Sequence, residues 1–234
     1  MKISIISSAK DVTKENTYGK TAIVIDVLRA TTVMVTALMN GGNKIFPFKN
    51  IEDVLQASKQ SDNCILCGER LGLKIDGFHL GNSPLEFTKE IVENKDIFMT
   101  TSNGTRAIEN AVFAKDLYIA CFLNISAIAK KIIELNNDTV IICAGTNDDF
   151  SLDDALCAGL ILKELKKFIN INLSDFDLSI LRVAQLNLSP EEILQDSKHY
   201  SYLKSIGFEE DLKYCLLIDK TDITPKYTDG KIQK

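Results

Sequence analysis

Short apolar runs, each followed by a polar turn and then a helical segment, recur three times in this chain and limit the folds it can adopt. The runs begin at Thr21, Asp96 and Thr139. The first two also share an Arg-Ala pair at the start of the helix, at Arg29 and Arg106, and each leads into a further apolar run. Short buried strands that alternate with helices are typical of a parallel or mixed sheet covered on both faces. The sequence therefore predicts a three-layer α/β/α fold.

The two Arg-Ala segments have two interpretations. An internal duplication would make Arg29 the counterpart of Arg106 and would give two similar βαβ halves. Alternatively, the likeness is only what any protein built from βαβ units shows. The sequence leaves both open.

Other elements follow from apolar periodicity, and we treat residues 1–234 as one α/β domain. The predicted helices span residues 31–40, 51–58, 108–114, 124–135, 151–162, 177–188, 190–195 and 209–214, and further strands span residues 44–48, 64–67, 117–122 and 216–218. The motif-bearing part covers residues 21–160 and a helical C-terminal part covers residues 165–220. Residues 68–84 show neither period and predict a long loop, which at this length is either functional or disordered. The tail from residue 224 is predicted to be irregular.

Composition excludes several classes of protein. The net charge is −5, and no basic stripe suggests nucleic-acid binding. No apolar stretch reaches bilayer length and no signal peptide precedes Ser7, so we expect a cytoplasmic protein without membrane contact. The six cysteines mostly lie in apolar runs, which favours buried free thiols over a disulfide framework. A homo-oligomer is compatible with the sequence.

Four polar loops follow predicted strands, where open α/β sheets bind ligands. They cover residues 26–32, 68–83, 100–106 and 145–154. The loop at 100–106 combines hydroxyl side chains with Ser102, Asn103, Gly104, Thr105 and Arg106 at a helix start, which favours an anion. The alternative is simple N-capping by Ser102 or Asn103.

The loop at 145–154 has the opposite character. It carries Asp148, Asp149, Asp153 and Asp154, and such carboxylates suit a hard cation such as Mg²⁺. The alternative is structural, because Ser151 and Asp154 have the spacing of a capping box. One loop thus resembles an anion site and the other a metal site.

The remaining loops place acids beside bases. Asp26 ends an apolar strand and is predicted to be a metal ligand or nucleophile, with Arg29 as a phosphate clamp. The alternative is an N-cap at Asp26 paired with Arg29. Glu69 and Arg70 form a second acid–base pair after a strand. Further hydroxyl and amide groups available to a ligand are those of Thr31, Thr32, Asn82 and Ser83.

These motifs, in this order, resemble the 2-phosphosulfolactate phosphatase family of coenzyme M biosynthesis. The matching stretches are residues 25–32, Gly68-Glu69-Arg70, residues 77–84, residues 101–107, residues 143–146 and residues 151–159. The chain departs from the family pattern at His79, where an acid is expected, and at Asp148-Asp149, where Gly and a basic residue are more usual.

The resemblance implies Mg²⁺-dependent hydrolysis of 2-phosphosulfolactate to 3-sulfolactate and phosphate. Within it, we expect the catalytic groups and the metal ligands to come from the loops above. The expected catalytic residues are Asp26, Arg29 and Arg106; the expected substrate-binding residues are Thr31, Thr32, Arg70, Asn82, Ser83, Ser102, Asn103, Gly104 and Thr105; the expected metal ligands are Asp26, Glu69, Asp153 and Asp154.

We further expect Arg29 and Arg106 to contact different acidic groups of one small anionic phosphorylated substrate. Attack by water and attack by Asp26 through an aspartyl phosphate remain alternatives. The competing functions are a phosphatase of another phosphorylated hydroxy acid and a non-catalytic sensor of anionic metabolites.

Overall fold

Ten strands form one mixed sheet in the computed structural model, which describes residues 1–61 and 63–234. The strands are β1 (Ile3–Ile6), β2 (Thr21–Ile25), β3 (Lys44–Pro47), β4 (Cys64–Arg70), β5 (Leu73–Lys74), β6 (Asp96–Thr100), β7 (Asp116–Ala120), β8 (Thr139–Cys143), β9 (Lys226–Thr228) and β10 (Lys231–Gln233). Their order across the sheet is β1-β8-β2-β7-β9-β10-β3-β6-β4-β5. The mixed sheet confirms the predicted α/β class.

Eleven α-helices occur in the part of the chain that the structure describes. They are α1 (Lys14–Thr17), α2 (Ala30–Met39), α3 (Ile51–Ser58), α4 (Lys89–Val92), α5 (Gly104–Asn110), α6 (Ile125–Leu135), α7 (Leu152–Leu165), α8 (Asp175–Ala184), α9 (Pro190–Leu194), α10 (Lys198–Ser205) and α11 (Glu209–Cys215). Helix α6 shows the periodicity from which most of the helices were predicted, because it buries Ile125, Ile128, Ala129 and Ile132 on one face. None of the helices in this part combines the length and apolar character needed to cross a membrane.

The sheet consists of two parallel halves joined by a hairpin. Strands β1, β8, β2 and β7 run parallel, as do β3, β6 and β4. The hairpin β9–β10 lies between them and pairs antiparallel with β7 on one side and with β3 on the other. The two halves therefore run in opposite directions.

Helices α2 and α5 pack against both halves. Their core includes Val24 and Ile142 from the first half and Ile97 and Met99 from the second. On the other face of the first half, α6, α7 and α8 cover a second core, and α3 covers Phe98 on the outer face of the second half. Helices on both faces confirm the predicted layering.

The two βαβ segments that share Arg-Ala are topologically equivalent. Unit β2–α2–β3 crosses from the first half to the second, and unit β6–α5–β7 crosses back, with β2 beside β7 and β3 beside β6. The two helix starts touch, because a Cβ on Gly104 would lie 2.6 Å from the Cβ of Ala30. This arrangement agrees with two similar halves, and it brings the carboxyl ends of β2 and β6 together.

The end of the chain differs from expectation. Residues 216–218 follow α11 and form no strand, so that prediction is wrong. The tail predicted to be irregular supplies β9 and β10, and Ile232 is fully buried between the halves. Asp229 and Gly230 form the hairpin turn with positive φ values of 51° and 81°. This Asp-Gly pair is the signal that could have revealed the hairpin.

Other differences concern boundaries. Helix α5 begins at Gly104 rather than at residue 108, and α8 ends at Ala184 rather than at residue 188. Strand β4 continues to Arg70 and pairs with β5, so part of the predicted 68–84 loop is a hairpin. Helix α10 was not predicted, since its only buried residues are Tyr200 and Leu203 and the helical period is weak.

Candidate active site

A cavity of about 300 Å³ lies where the ends of β2, β4 and β6 approach α10. Six residues expected from the sequence to form the site line it: Asp26, Arg29, Glu69, Asn82, Ser102 and Asn103. The other lining residues are Leu28, Leu71, Gly72, Thr146, Asn147, Lys198, His199, Tyr202 and Leu203.

Asp26 is a buried carboxylate between the cavity and the start of α2. Its Oδ1 accepts a hydrogen bond of 3.1 Å from the backbone N–H of Ala30, the first residue of α2, whose N-cap is Arg29. Burial raises the pKa of Asp26 to about 7; the Ala30 N–H and His199 act in the opposite direction, while Asp153 and Glu69 raise it further. Asp26 therefore titrates near neutral pH.

Gly104 allows α5 to approach Asp26 closely. A Cβ at this position would lie 2.8 Å from Asp26 Oδ2 and 2.6 Å from the Cβ of Ala30. Gly104 does not line the cavity. The structure thus gives this glycine a packing role, because any side chain would displace the carboxylate.

Glu69 connects the β4–β5 hairpin to the loop at 100–106. Its Oε1 accepts from the N–H of Ser102 at 2.7 Å, and its Oε2 accepts from the N–H of Gly72 at 2.8 Å. Both carboxylate oxygens already accept a backbone hydrogen bond, and one amide of the predicted anion loop is engaged with an acid.

Asp153 and Asp154 lie buried behind Asp26 at the start of α7. Asp154 accepts from the N–H of Val27 at 2.8 Å and from that of Gly145 at 3.0 Å. Burial raises the pKa of Asp154 well above its usual range, and Asp153 and Asp26 add to the shift. The predicted capping box is wrong, because the Ser151 side chain caps no backbone N–H and donates to Asp153 instead.

To bind Mg²⁺, this site needs side-chain oxygens that are not already accepting hydrogen bonds from the protein. Within the described residues, no group of three or more His, Cys, Asp or Glu side chains is placed to hold a metal, so the four acids expected as ligands do not form such a group. Among those residues, Asp26 Oδ2 accepts no hydrogen bond, and the buried Asn82 Oδ1 has no partner. Both side chains line the cavity. Mg²⁺ is typically bound by one or two carboxylates together with other oxygens and water. One carboxylate oxygen from Asp26 and one amide oxygen from Asn82 match this kind of ligand set.

Arg29 lines the cavity, but its guanidinium is engaged by protein groups. Nη1 donates to Asp211 Oδ2 at 2.6 Å, and Nη2 donates to the carbonyl of Gly72 at 2.6 Å. The centre of the Phe208 ring lies 3.8 Å from the Cζ atom of Arg29. The partner of Arg29 is thus Asp211 rather than Asp26, and a role as phosphate clamp stays a prediction.

Arg106 and Arg70 do not line the cavity. Arg106 Nη2 forms an ion pair with Asp148 Oδ1 at 2.6 Å. Asp148 lies in a tight turn after β8, where it and Asn147 have positive φ. Arg70 donates to the carbonyl of Glu69 and to Thr100 Oγ1. The predicted anion and metal loops therefore contact each other through an ion pair.

Most of the hydroxyls expected to bind substrate hold the protein backbone instead. Thr31 Oγ1 donates to the carbonyl of Asp26 and accepts from its N–H, each at 2.9 Å. Thr32 donates to the carbonyl of Val27 and Thr105 to that of Thr101. Ser83 Oγ donates to Asp211. These four residues lie outside the cavity lining.

Helix α10 contributes site residues that sequence reasoning missed. The carbonyl of Leu28 accepts from His199 Nε2 at 2.7 Å, and that of Leu71 accepts from the Tyr202 hydroxyl at 2.9 Å. Lys198, His199 and Thr146 also line a neighbouring cavity of about 280 Å³ that contains Asp153. The only local signal was Ser197, a candidate N-cap before this polar segment.

Comparisons with known proteins bear on the whole chain. A family model described as 2-phosphosulpholactate phosphatase matches residues 7–230. A protein of Clostridium beijerinckii is 43% identical over 235 residues, covering 99% of both chains. A protein of Clostridium novyi is 43% identical over 100% of both chains, and one of Clostridium acetobutylicum is 42% identical over 99% of this chain and 100% of its own. All three relatives are named probable 2-phosphosulfolactate phosphatase.

Proposed function

Because the chain belongs to the 2-phosphosulfolactate phosphatase family, we propose that it is a phosphoric monoester hydrolase. It converts 2-phosphosulfolactate and water to 3-sulfolactate and phosphate, with Mg²⁺ as cofactor. The observation that carries the proposal is Asp26, a buried carboxylate with a pKa of about 7 that faces a cavity sized for a small molecule.

Acidic side chains near Asp26 hold the backbone segments that form the site. Asp154 holds the backbone on both sides of the site, at Val27 and Gly145, and Glu69 fixes Ser102 and Gly72. Such fixed partners keep the reacting groups in place without rearrangement during the reaction. We therefore assign Glu69 and Asp154 a positioning role and Asp26 the direct contact with the reacting groups.

The site would hold Mg²⁺ through Asp26 Oδ2 and Asn82 Oδ1, both of which are available. When bound, the ion would neutralise negative charge on the phosphate in the transition state. Hydrolysis breaks the bond between phosphorus and the C2 oxygen. Water supplies the hydroxyl that goes to phosphorus and the proton that converts the C2 oxygen to the hydroxyl of sulfolactate.

Asp26 itself can serve in two ways. Either its carboxylate attacks phosphorus and water hydrolyses the aspartyl phosphate, or water attacks directly. Borohydride trapping of an acyl phosphate at Asp26 during turnover supports the first route, and single-turnover reactions without a trapped adduct support the second.

Phosphate release from a panel of phosphoesters tests the proposal. The panel contains 2-phosphosulfolactate, 2-phospholactate and 3-phosphoglycerate, each with Mg²⁺ and with excess chelator. We expect hydrolysis of 2-phosphosulfolactate in preference to the others, and only with Mg²⁺. Preferred hydrolysis of another ester would identify a different hydroxy-acid phosphatase. Binding of the panel without any phosphate release would identify a sensor.

A further inference from the structure

The cavity needs positive charge to balance the acidic groups of the proposed substrate. The proposed substrate carries phosphate, carboxylate and sulfonate groups, all ionised at neutral pH. The lining already includes the acids Asp26 and Glu69. Arg29 and Lys198 are the lysine and arginine residues of the lining in the described part of the chain. One or both must balance the acidic groups that the metal does not contact.

Arg29 has little capacity left for a ligand. Its Nη1 and Nη2 donate to Asp211 and to the Gly72 carbonyl, and one face of the guanidinium packs on Phe208. The side chain is 1% exposed and its acid partner 5% exposed. Turning Arg29 toward a substrate would leave Asp211 buried without its ion-pair partner, which is strongly unfavourable.

Lys198 is available by contrast. Among the residues that the structure describes, it has no carboxylate within ion-pair distance and its side chain makes no hydrogen bond. It lies at the junction of the two cavities and lines both. Its position on α10 is fixed by its neighbours, because His199 binds the Leu28 carbonyl and Tyr202 binds the Leu71 carbonyl.

We propose that Lys198 binds the sulfonate of the substrate and so determines the preference for a sulfonated phosphoester. The inference rests on the proposed function. A sulfonate spreads one negative charge over three oxygens arranged around sulfur. The ammonium of Lys198 is a compact positive charge with three donors on a flexible stem, and it can pair with such a group from the edge of the cavity.

The test compares two substrates and three variants. Lys198→Met removes the charge, Lys198→Arg restores it, and Lys204→Met removes a lysine on the same helix whose partner is the exposed Glu209. Kinetic constants are measured for 2-phosphosulfolactate and for 2-phospholactate, which has no sulfonate. Binding of 3-sulfolactate is measured by calorimetry for each protein.

With 2-phosphosulfolactate as substrate, we expect Lys198→Met to lower kcat/KM at least ~10-fold, mostly because KM rises. A loss of this size corresponds to one lost charged hydrogen bond. With 2-phospholactate it should change by less than about 2-fold, since the contacted group is absent. Lys198→Arg should recover most of the loss, and Lys204→Met should match the parent protein on both substrates.

Two results would overturn the inference. The first is an equal loss of kcat/KM on both substrates for Lys198→Met, which would indicate a contact with phosphate or carboxylate. The second is an unchanged KM of this variant for 2-phosphosulfolactate. The calorimetry separates this inference from the proposed function. If the parent protein binds 3-sulfolactate, Lys198→Met binds it at least ~10-fold more weakly, and no phosphoester is hydrolysed, then the contact of Lys198 with an acidic group of sulfolactate stands and the phosphatase proposal fails.

Discussion

Asp26 joins two roles in one side chain, because its Oδ1 binds the first backbone N–H of α2 and the side chain lines the cavity. Replacing it with Asn keeps the shape and removes the charge. We expect Asp26→Asn to lower turnover at least ~100-fold. Structural capping alone would instead predict intact activity and a loss of about 1 kcal/mol in stability.

The stability of the same variant should depend on pH in a defined direction. The folded pKa of Asp26 is about 7, above the usual 3.8, so the native state binds more protons than the unfolded state between these values. Wild-type stability therefore includes a contribution that falls as pH rises from about 4 to about 7. Asn does not titrate, so Asp26→Asn should gain stability relative to wild type over this range.

Denaturant unfolding of both proteins at pH 4, 5, 6, 7 and 8 checks this, with exposed Asp222→Asn as the control. A stability difference that is constant with pH would show that Asp26 is not held protonated by its burial.

The two ion pairs formed by the Arg-Ala motifs should differ in their contribution to stability. The side chains of Arg29 and Asp211 are almost fully buried, whereas those of Arg106 and Asp148 are 29% and 51% exposed. Arg29→Met leaves a buried carboxylate unpaired and should lower the free energy of unfolding by about 3–5 kcal/mol. Arg106→Met should lower it by less than about 1 kcal/mol.

Chemical denaturation of the two variants side by side measures this contrast. A normal stability for Arg29→Met together with a raised KM would instead make Arg29 the substrate clamp expected from the sequence.

At the scale of elements, the hairpin β9–β10 is the only connection through the sheet between its two halves within the described chain. Ile232 pairs with Ile45 and Tyr227 and is fully buried between them. We expect Ile232→Ala to lower the free energy of unfolding by about 2–5 kcal/mol through lost burial and a cavity.

Gln233→Ala, one residue further along the same strand, should change stability by less than about 0.5 kcal/mol. Urea titrations of both variants provide the measurement. Equal small effects would mean that the halves are joined mainly through α2 and α5, which pack against both.

At the scale of the whole molecule, Mg²⁺ should stabilise the folded protein because it relieves repulsion among buried acids. Asp153 raises the pKa of both Asp26 and Asp154, and Asp26 raises that of Asp154. A ligand at 100 times its Kd adds about 2.7 kcal/mol to stability. We therefore expect Mg²⁺ to raise the Tm at pH 8 and excess chelator to reverse the rise.

Asp26→Asn should abolish this shift, since it removes the charged oxygen available to the ion. Differential scanning calorimetry of both proteins with Mg²⁺ and with chelator is the measurement, and it does not depend on activity. An equal rise in Tm for both proteins would place the ion elsewhere.

Local sequence by itself determined the building blocks of this protein. The strand–turn–helix segments that begin at Thr21, Asp96 and Thr139 could be predicted because burial of one face gives the apolar residues of a helix or strand a regular spacing along the chain. The same reasoning placed Asp26, Glu69, Asn82 and Ser102 at strand ends or turns, and all four line the cavity. The family followed from these motifs and their order.

Tertiary structure alone decided which of these groups remain available to a ligand. Arg29 is held by Asp211, 182 residues away, and Glu69 by the amides of Ser102 and Gly72. Lys198 reaches the cavity from a helix without a strong apolar period. Periodicity reports only contacts between near neighbours in the chain. Ion pairs and hydrogen bonds between distant segments depend on how the sheet brings its two halves together.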